Sequence, residues 1–206
     1  MIDCTVVVFD CDGVLFDTEA ANRAYYNHIL RHFGKPAMTV EQFVYAHQHT
    51  LNEAIAHIFG DADESIAAVQ AYRQTMDYSR FLKLLKVEPH LVPLLSKIRP
   101  RMKTAIATNR SDTMSRLLAE FNLTDRFDLV VTSVDIPRPK PYPDGLLKVL
   151  CYFNIVPRQA LYIGDSQVDA EAAVAAQIPF VAYRNKKLPA PYHIENLKDL
   201  EDLLEV

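Results

Sequence analysis

Short apolar runs, separated by segments long enough to form helices, constrain the fold of this chain more than any other sequence feature. Each run is rich in Val, Ile and aromatic residues with little polar alternation, as in strands that are buried on both faces of a parallel sheet. Helical patterns occupy residues 112–121, 143–153 and 168–176, between the later runs. This alternation predicts an α/β fold with a doubly wound parallel sheet. The runs are residues 5–9, 104–107, 129–131, 160–163 and 180–183.

Residues 18–86 interrupt the alternation. They contain helix-like patterns and no convincing strand, so we predict a helical insert. Residues 1–17 and 87–206 are then predicted to form one α/β core domain, which a chain of 206 residues is long enough to combine with a small insert. The predicted helices outside the alternation are residues 19–33, 39–47, 52–59, 64–85, 88–98 and 196–204.

Composition and charge exclude several classes of partner. The chain is 50% hydrophobic and 23% charged with a net charge of -4, which is typical of a soluble globular protein and gives no basic surface for nucleic acid. No stretch approaches the roughly 18 apolar residues of a membrane span, and the run ending at Phe9 is too short for a signal peptide. Cys4, Cys11 and Cys151 are odd in number and scattered, which favours reduced thiols. We therefore expect a cytoplasmic protein that binds neither nucleic acid nor membrane.

Polar side chains follow the predicted strands at the points where the strands end. In open parallel sheets, ligands bind beyond the carboxyl ends of the strands, so these residues are expected to share one edge. Carboxylates that lie close together repel each other unless a cation neutralises them. Because oxygen ligands suit Mg²⁺, we expect Mg²⁺ as the cofactor. The residues concerned are Asp10, Asp12, Thr108, Asn109, Arg110, Asp165 and Asp169.

Several of these residues also have an ordinary structural explanation. Asp10 and Asp12 precede Gly13 in a sequence that suits a turn, and Asp169 follows Ser166 at the spacing of a helix capping box. The capping role and a functional role are compatible for Asp169.

Two further candidates are equally open at this point. Thr108 and Asn109 are suitable caps for the next helix. Lys140 lies between Pro139 and Pro141, which restrict the backbone, but an ordinary solvated loop lysine is the alternative.

Together these segments resemble the four motifs of the haloacid dehalogenase superfamily, in its phosphatase branch. The motifs are DCDGVL at residues 10–15, TNR at 108–110, Lys140 within PKPYP, and GDSQVD at 164–169, in the order of the family. The insert that follows the first motif resembles the helical C1-type cap of phosphoglycolate phosphatases and β-phosphoglucomutases. The resemblance implies a Rossmann-like core with residues 18–86 as a cap domain.

The resemblance also implies a reaction and a role for each motif. The reaction is Mg²⁺-dependent hydrolysis of a small phosphorylated metabolite through an aspartyl-phosphate. Phosphoryl transfer depends on positioning and on charge neutralisation, which a metal, a lysine and hydrogen-bond donors provide. By resemblance, Asp10 is the nucleophile and a metal ligand, and Asp12 offers its carbonyl to the metal and its side chain to proton transfer. Asp165 is a third ligand, Asp169 orients the metal's water shell, and Thr108 and Lys140 bind the phosphoryl oxygens.

The insert carries the candidates for substrate choice. His47 and His49 are candidate substrate contacts on a predicted turn, and a metal at these histidines is disfavoured because no other ligand accompanies them. Arg23 in the insert and Arg110 beside Thr108 are candidates for binding an anionic group, with a solvated arginine as the alternative. Asn109 is a further candidate contact with the substrate.

Other functions remain open. A phosphomutase of the β-phosphoglucomutase type must hold a second phosphate, and no Lys or Arg lies between Lys35 and Arg73 to do so. A dehalogenase is disfavoured because Asp12 supplies a proton-transfer group where that branch lacks one. The third alternative is an inactive metal-binding interaction domain. The sequence determines neither the substrate nor the oligomeric state.

Overall fold

The structure, a computed structural model, describes residues 4–60 and 63–206. The first three residues of the predicted core domain, and residues 61 and 62 of the predicted insert, lie outside this description. The chain divides into two compact units. The insert unit is Asp17–Lys86, and the core unit comprises the described residues up to Phe16 together with Val87–Val206.

The core unit is built on a six-stranded sheet in which the paired strands are parallel. This confirms the predicted fold class. Its strands are β1 (Val6–Phe9), β4 (Lys103–Ala107), β5 (Leu129–Val131), β6 (Ala160–Gly164), β7 (Phe180–Tyr183) and β8 (Tyr192–Ile194). Two further strands, β2 (Phe16–Asp17) and β3 (Lys86–Val87), form a separate pair.

The strand order places β1 at the switch point of the sheet. The order across the sheet is β5-β4-β1-β6-β7-β8, so the chain runs from β1 to β4 and β5 and then returns to the other side of β1 with β6. Phe9, the last residue of β1, is in register with Ile106 and Ile163. The residues directly after β1, β4 and β6 therefore lie at one edge, where doubly wound folds bind their ligands.

The insert unit is helical. Thr39 and Thr50 begin α2 and α3 with capping boxes, in which each threonine exchanges hydrogen bonds with the residue three positions later, Gln42 and Glu53 respectively. Its helices are α1 (Glu19–His32), α2 (Val40–Gln48), α3 (Leu51–Phe59), α4 (Asp63–Thr75) and α5 (Ser79–Leu82).

Five helices belong to the core unit: α6 (Leu91–Ile98), α7 (Met114–Glu120), α8 (Asp144–Phe153), α9 (Gln167–Ala176) and α10 (Asp199–Leu204). Helices α8 and α9 pack on the sheet through a continuous apolar cluster. Val149 and Ala173 from these helices meet Val8 and Tyr162 from β1 and β6 in this cluster. Burial of this surface is the main term that stabilises the core unit.

The structure corrects some of the predicted elements. The helix predicted at 64–85 is two helices, α4 and α5, and between them Asp77 accepts hydrogen bonds from the Ser79 N–H at 2.9 Å and the Ser79 hydroxyl at 2.8 Å. Strands β2, β3 and β8 were not predicted. The helix predicted from residue 88 begins at Leu91, since the Glu88 carboxylate accepts the His90 N–H at 2.6 Å instead.

Among the described helices, none has both the length and the apolar composition needed to cross a bilayer.

Candidate active site

Three strand ends bring the motif residues together. Asp10 follows β1, and its N–H donates to the Ile163 carbonyl of β6 at 2.9 Å. Thr108 follows β4, and its N–H donates to the Val131 carbonyl of β5 at 3.0 Å. Asp165 follows β6 directly. At Asp10 and Thr108 the sheet hydrogen bonds thus continue one residue past the strand and fix the position from which the side chain extends.

Lys140 lies at the centre of the site. Its Nζ atom is 2.7 Å from Asp10 Oδ1 and 2.6 Å from Asp169 Oδ1. Only 6% of the residue is exposed, so the solvated loop lysine is excluded in this structure. Although burial disfavours the charged form, the two carboxylates raise the pKa of Lys140 above its usual value. The lysine is therefore a fixed positive charge.

Asn109 holds the Lys140 backbone in place. Its side-chain amide donates to the Lys140 carbonyl at 3.0 Å and accepts the Lys140 N–H at 2.9 Å. Both bonds are buried, where hydrogen bonds are least exposed to competition from water. The structure thus gives Asn109 a positioning contact, and its predicted contact with a substrate stays a prediction.

Asp169 serves the helix and the site at once. Its Oδ2 atom accepts the Ser166 N–H at 3.1 Å and also the Ser166 hydroxyl, which is the capping arrangement at the start of α9. Its Oδ1 atom accepts from Lys140 and, at 2.6 Å, from the Tyr162 hydroxyl. Burial alone would raise its pKa, but the Lys140 ammonium and these hydrogen bonds hold the pKa of Asp169 below its usual value.

The carboxylates form a cluster that suits a cation. Asp10, Asp165 and Asp169 each place one oxygen within 4.8 Å of the others. Burial, opposed by Lys140, raises the pKa of Asp10 to about 7. Burial and the charges of Asp169 and Asp10 raise the pKa of Asp165 well above its usual value. Three carboxylates form this cluster and Lys140 supplies one ammonium, so the ionised cluster has excess negative charge and its oxygen donors fit a divalent cation.

Gly13 leaves room for Asp165. The residue has φ of +85°, and a Cβ atom at this position would overlap the Asp165 carboxylate. Glycine is therefore required by both the backbone conformation and the close approach of the side chain. The turn after β1 is shaped around the cluster.

Asp12 pairs with Arg110. The guanidinium donates through Nη2 to Asp12 Oδ1 at 2.6 Å and through Nε to Oδ2 at 3.0 Å. Both side chains are largely buried. The Arg110 N–H also donates to the Thr108 hydroxyl at 3.1 Å. The motifs after β1 and β4 are joined by this ion pair, so Arg110 is not a solvated surface arginine.

Tyr162 is a site residue that the sequence reasoning missed. It lies within β6, and its hydroxyl accepts from Lys140 Nζ at 3.0 Å and donates to Asp169. The available signal was weak: a tyrosine within an otherwise apolar buried strand needs a hydrogen-bond partner for its hydroxyl. That requirement gives no indication of which partner it finds.

Two of the insert candidates, Arg23 and His47, contact the same aromatic ring within the insert unit. The Arg23 guanidinium lies 4.1 Å from the centre of the Phe43 ring and 3.3 Å from Glu19. His47 is in the last turn of α2 and stacks on the same Phe43 ring, at 5.6 Å between ring centres. Its Nδ1 atom is buried and has no hydrogen-bond partner among the described residues.

His49 ends α2 and is the candidate that lies on the turn to α3. Its Nδ1 atom is 2.8 Å from the Tyr45 carbonyl, and its ring stacks on the Tyr45 ring at 3.8 Å. These contacts give His49 a structural role, and its predicted substrate contact stays a prediction.

Comparison with known proteins decides the family. The sequence model of the haloacid dehalogenase-like hydrolases matches residues 7–183, which include every motif described above. The chain belongs to this family. The predicted resemblance to the superfamily is thereby confirmed.

Individual relatives of the haloacid dehalogenase-like hydrolase agree with the phosphatase branch. A phosphoglycolate phosphatase of Pseudomonas putida is 29% identical over 85% of this chain and 68% of its own length. A phosphoglycolate phosphatase of Rhodobacter capsulatus is 28% identical over 96% of this chain and 94% of its own length. A crystal structure of a subfamily IA hydrolase from Geobacter sulfurreducens is 37% identical, with a TM-score of 0.79 over 98% of this chain and 96% of that one. These relatives confirm the prediction of an enzyme of the phosphatase type.

Proposed function

We propose that this protein is a Mg²⁺-dependent phosphatase that hydrolyses a small phosphate monoester through an aspartyl-phosphate on Asp10. The observation that carries the proposal is the placement of the Asp10 carboxylate 2.7 Å from the buried Lys140 ammonium and within the cluster of Asp165 and Asp169. A carboxylate next to a fixed cation is suited to attack phosphorus, since charge on the phosphoryl group is then neutralised from the start.

The metal ligands of this proposal come from three positions. Asp10, Asp165 and the backbone carbonyl of Asp12 would hold the ion, and Asp169 would orient its water ligands. The closeness of the Asp10 and Asp165 oxygens, within 4.8 Å of each other, supports this set, because a divalent cation relieves the repulsion between two carboxylates. Bound Mg²⁺ would supply charge neutralisation at the phosphoryl oxygens.

The reaction then proceeds in two displacements by residues of the chain. In the first, an Asp10 oxygen forms a bond to phosphorus, the bond from phosphorus to the leaving oxygen breaks, and Asp12 gives that oxygen a proton. In the second, Asp12 takes a proton from a water molecule, the water oxygen forms a bond to phosphorus, and the bond between the Asp10 oxygen and phosphorus breaks to release inorganic phosphate. Thr108 and Lys140 hold the phosphoryl oxygens in both steps. General acid–base catalysis of this kind contributes typically about 10²–10⁴-fold.

The named relatives guide the choice of substrate. Both phosphoglycolate phosphatases described above carry names that specify a short monoester with a carboxylate. We therefore propose a substrate of this class, in the size range of phosphoglycolate. We also propose that the insert unit acts as a cap that excludes water during the first displacement.

A cytoplasmic location is a further proposal. Cys11 and Cys151 are free thiols in the structure, which fits a reducing compartment. Fractionation of cells that express the protein at its natural level checks the location, and recovery in a secreted or membrane fraction would contradict it.

Hydrolysis is favoured over a mutase reaction by the composition of the insert. A mutase must bind a second phosphate, and no Lys or Arg lies between Lys35 and Arg73. Phosphorus NMR of reactions with β-glucose 1-phosphate distinguishes the two activities. Release of inorganic phosphate agrees with hydrolysis, whereas conversion to the 6-phosphate without net release would establish the mutase.

The central experiment combines metal removal with covalent trapping. Wild-type protein should release phosphate from p-nitrophenyl phosphate with Mg²⁺ and lose this activity after chelation. Acid quenching and mass spectrometry should find phosphate on Asp10 in the Asp12→Asn variant, since a nitrophenolate leaves without a proton but the second step needs a base. Asp10→Asn should carry no label, and the exposed Asp125→Asn serves as the matched control. Full activity in chelator, or a label on the Asp10→Asn protein, would contradict the proposal.

A further inference from the structure

We propose that Arg110 is the receptor for an anionic group on the leaving group, and that this group displaces the Asp12 carboxylate from Arg110. The inference rests on the proposed function. It extends that function in two ways: Arg110 selects the class of substrate, and binding of that substrate releases Asp12 for proton transfer.

The resting arrangement occupies both Asp12 oxygens. Oδ1 and Oδ2 each accept one hydrogen bond from the Arg110 fork, at 2.6 and 3.0 Å. Bidentate pairs of this kind are strong and strongly oriented. For Asp12 to reach a leaving oxygen, at least one of these bonds has to break. The pair therefore disfavours proton transfer by Asp12, and a group that replaces the carboxylate at Arg110 lowers this cost.

The surroundings of Arg110 decide what can replace Asp12. The Arg110 side chain is 6% exposed, so water gives little compensation to a guanidinium that loses its carboxylate partner, and loss of that partner is strongly unfavourable. A carboxylate on the leaving group has the same planar geometry as Asp12 and restores both hydrogen bonds. An uncharged leaving group restores neither.

The position of Arg110 fits this exchange. Its Nη1 atom donates to the Thr113 hydroxyl at 3.1 Å, and its N–H donates to the hydroxyl of Thr108, the proposed phosphoryl ligand. The guanidinium therefore stays anchored through Thr113 when its carboxylate partner changes. Arg110 starts from the same strand end that is proposed to hold the phosphoryl group, so one short molecule with a phosphate and a carboxylate is the chemical class that fits.

The experiment compares two esters that differ only in this charge, 2-phosphoglycolate and 2-phosphoglycolamide. Wild-type protein should prefer the carboxylate by at least roughly 30-fold in kcat/KM, as expected when a buried ion pair is made in one complex and not in the other. The Arg110→Gln variant should bring the two values close to equality. Arg110→Lys should lie between, because an ammonium provides charge without the fork. Arg116→Gln removes an exposed arginine from α7 and should keep the wild-type ratio.

The outcomes separate the two levels of the proposal. Hydrolysis of p-nitrophenyl phosphate without a preference between the two esters would contradict the role of Arg110 and leave the proposed function intact. An unchanged ratio in Arg110→Gln would do the same, because Arg110 would then only anchor Asp12. If circular dichroism shows that Arg110→Gln does not fold, Arg110→Lys is used instead. An Arg110→Lys protein with the wild-type ratio of kcat/KM between the two esters would then contradict the role of Arg110. Wild-type protein that releases phosphate from none of the three compounds would contradict both proposals.

Discussion

The Tyr162 hydroxyl lies 3.0 Å from the Lys140 ammonium and accepts a hydrogen bond from it. This contact comes from the interior of β6, one strand away from Asp10. It orients a charge that is already placed between two carboxylates, and so it makes Tyr162 a positioning residue for the proposed phosphoryl site.

Replacing Tyr162 with Phe should therefore lower kcat more than it changes KM. The variant keeps the ring and removes the hydrogen bonds of the hydroxyl to two charged groups, Lys140 and Asp169. Loss of one such bond costs about 1.5–3 kcal/mol, so kcat should fall by at least roughly 10–100-fold if the loss acts fully on the transition state. Steady-state kinetics with an aryl phosphate measure the effect, and Tyr152→Phe on the exposed face of α8 is the matched control. An unchanged kcat in a folded Tyr162→Phe protein would show that Lys140 does not need this contact.

Replacing Asn109 with Ala should also act through Lys140. The change removes both hydrogen bonds to the Lys140 backbone, so the lysine loses its fixed position and kcat should fall by about tenfold or more. Kinetics over a range of substrate concentrations provide the check, with the exposed Asn52→Ala as control. A rise in KM with kcat unchanged would instead favour the direct substrate contact predicted from the sequence.

Metal-free protein should become less stable as the pH rises from about 4 to 7. The folded pKa of Asp10 is raised to about 7, whereas an unfolded aspartate has a pKa near 3.9. In this window the folded state binds a proton that the unfolded state has released, so unfolding becomes easier with increasing pH. Thermal melts in chelator should show this slope, and Mg²⁺ should raise Tm more at pH 8 than at pH 5.

The Asp10→Asn variant is the control for the share of Asp10 in that slope, because it removes one of the two carboxyl groups with a raised pKa and should make the dependence on pH shallower. The interpretation would be wrong if wild type and variant showed the same slope in chelator. It would also be wrong if Mg²⁺ raised the Tm of both proteins equally.

Asp128 should show the opposite pH dependence, away from the site. Burial alone would raise its pKa, but the Thr104 N–H and the Lys103 ammonium, at 2.9 and 3.2 Å, hold it below its usual value. Its contribution to stability is therefore present above the unfolded pKa of about 4 and lost as the pH falls through the folded pKa. Asp128→Asn should destabilise the protein by about 1 kcal/mol at pH 7 and by less near about pH 3. Urea titrations at both pH values test this, and an equal loss at the two would contradict it.

The core of the fold was predictable because its signals are local. Strands buried on both faces appear as apolar runs, and β5 and β7 have the bounds that their runs predict. Strand β8 was not predicted because it is a three-residue edge strand that directly follows Pro191. Proline argues against a strand within a sheet and is tolerated at its edges, so this segment carries no clear strand signal. The break before α5 was not predicted because the apolar pattern continues across it and the local contacts of Asp77 with Ser79 leave no periodic signal.

The site was predictable only in part for a similar reason. Asp10, Thr108 and Asp165 follow strands, so their meeting follows from the topology of the sheet. The pairing of Asp12 with Arg110, and of Asn109 with the Lys140 backbone, depends on side-chain conformations across distant segments. No sequence pattern encodes such pairings. The metal and the proposed catalytic roles remain predictions for the experiments above.

The two oxygens of the Asp169 carboxylate have different partners, Ser166 at the start of α9 and Lys140 in the site. This affects which substitutions the position tolerates. An asparagine side chain has one acceptor, its oxygen, and one donor group, its NH₂. If the oxygen accepts from Ser166, the NH₂ faces the Lys140 ammonium, and two donors then face each other. If the side chain is flipped, the start of α9 loses its acceptor. Ala satisfies neither neighbour. In a library of random variants selected for folding alone, without any demand for activity, position 169 should therefore resist replacement almost as strongly as under selection for turnover. Selection for a stable start of α9 would then also preserve Asp169 as the partner of Lys140, without any selection for catalysis.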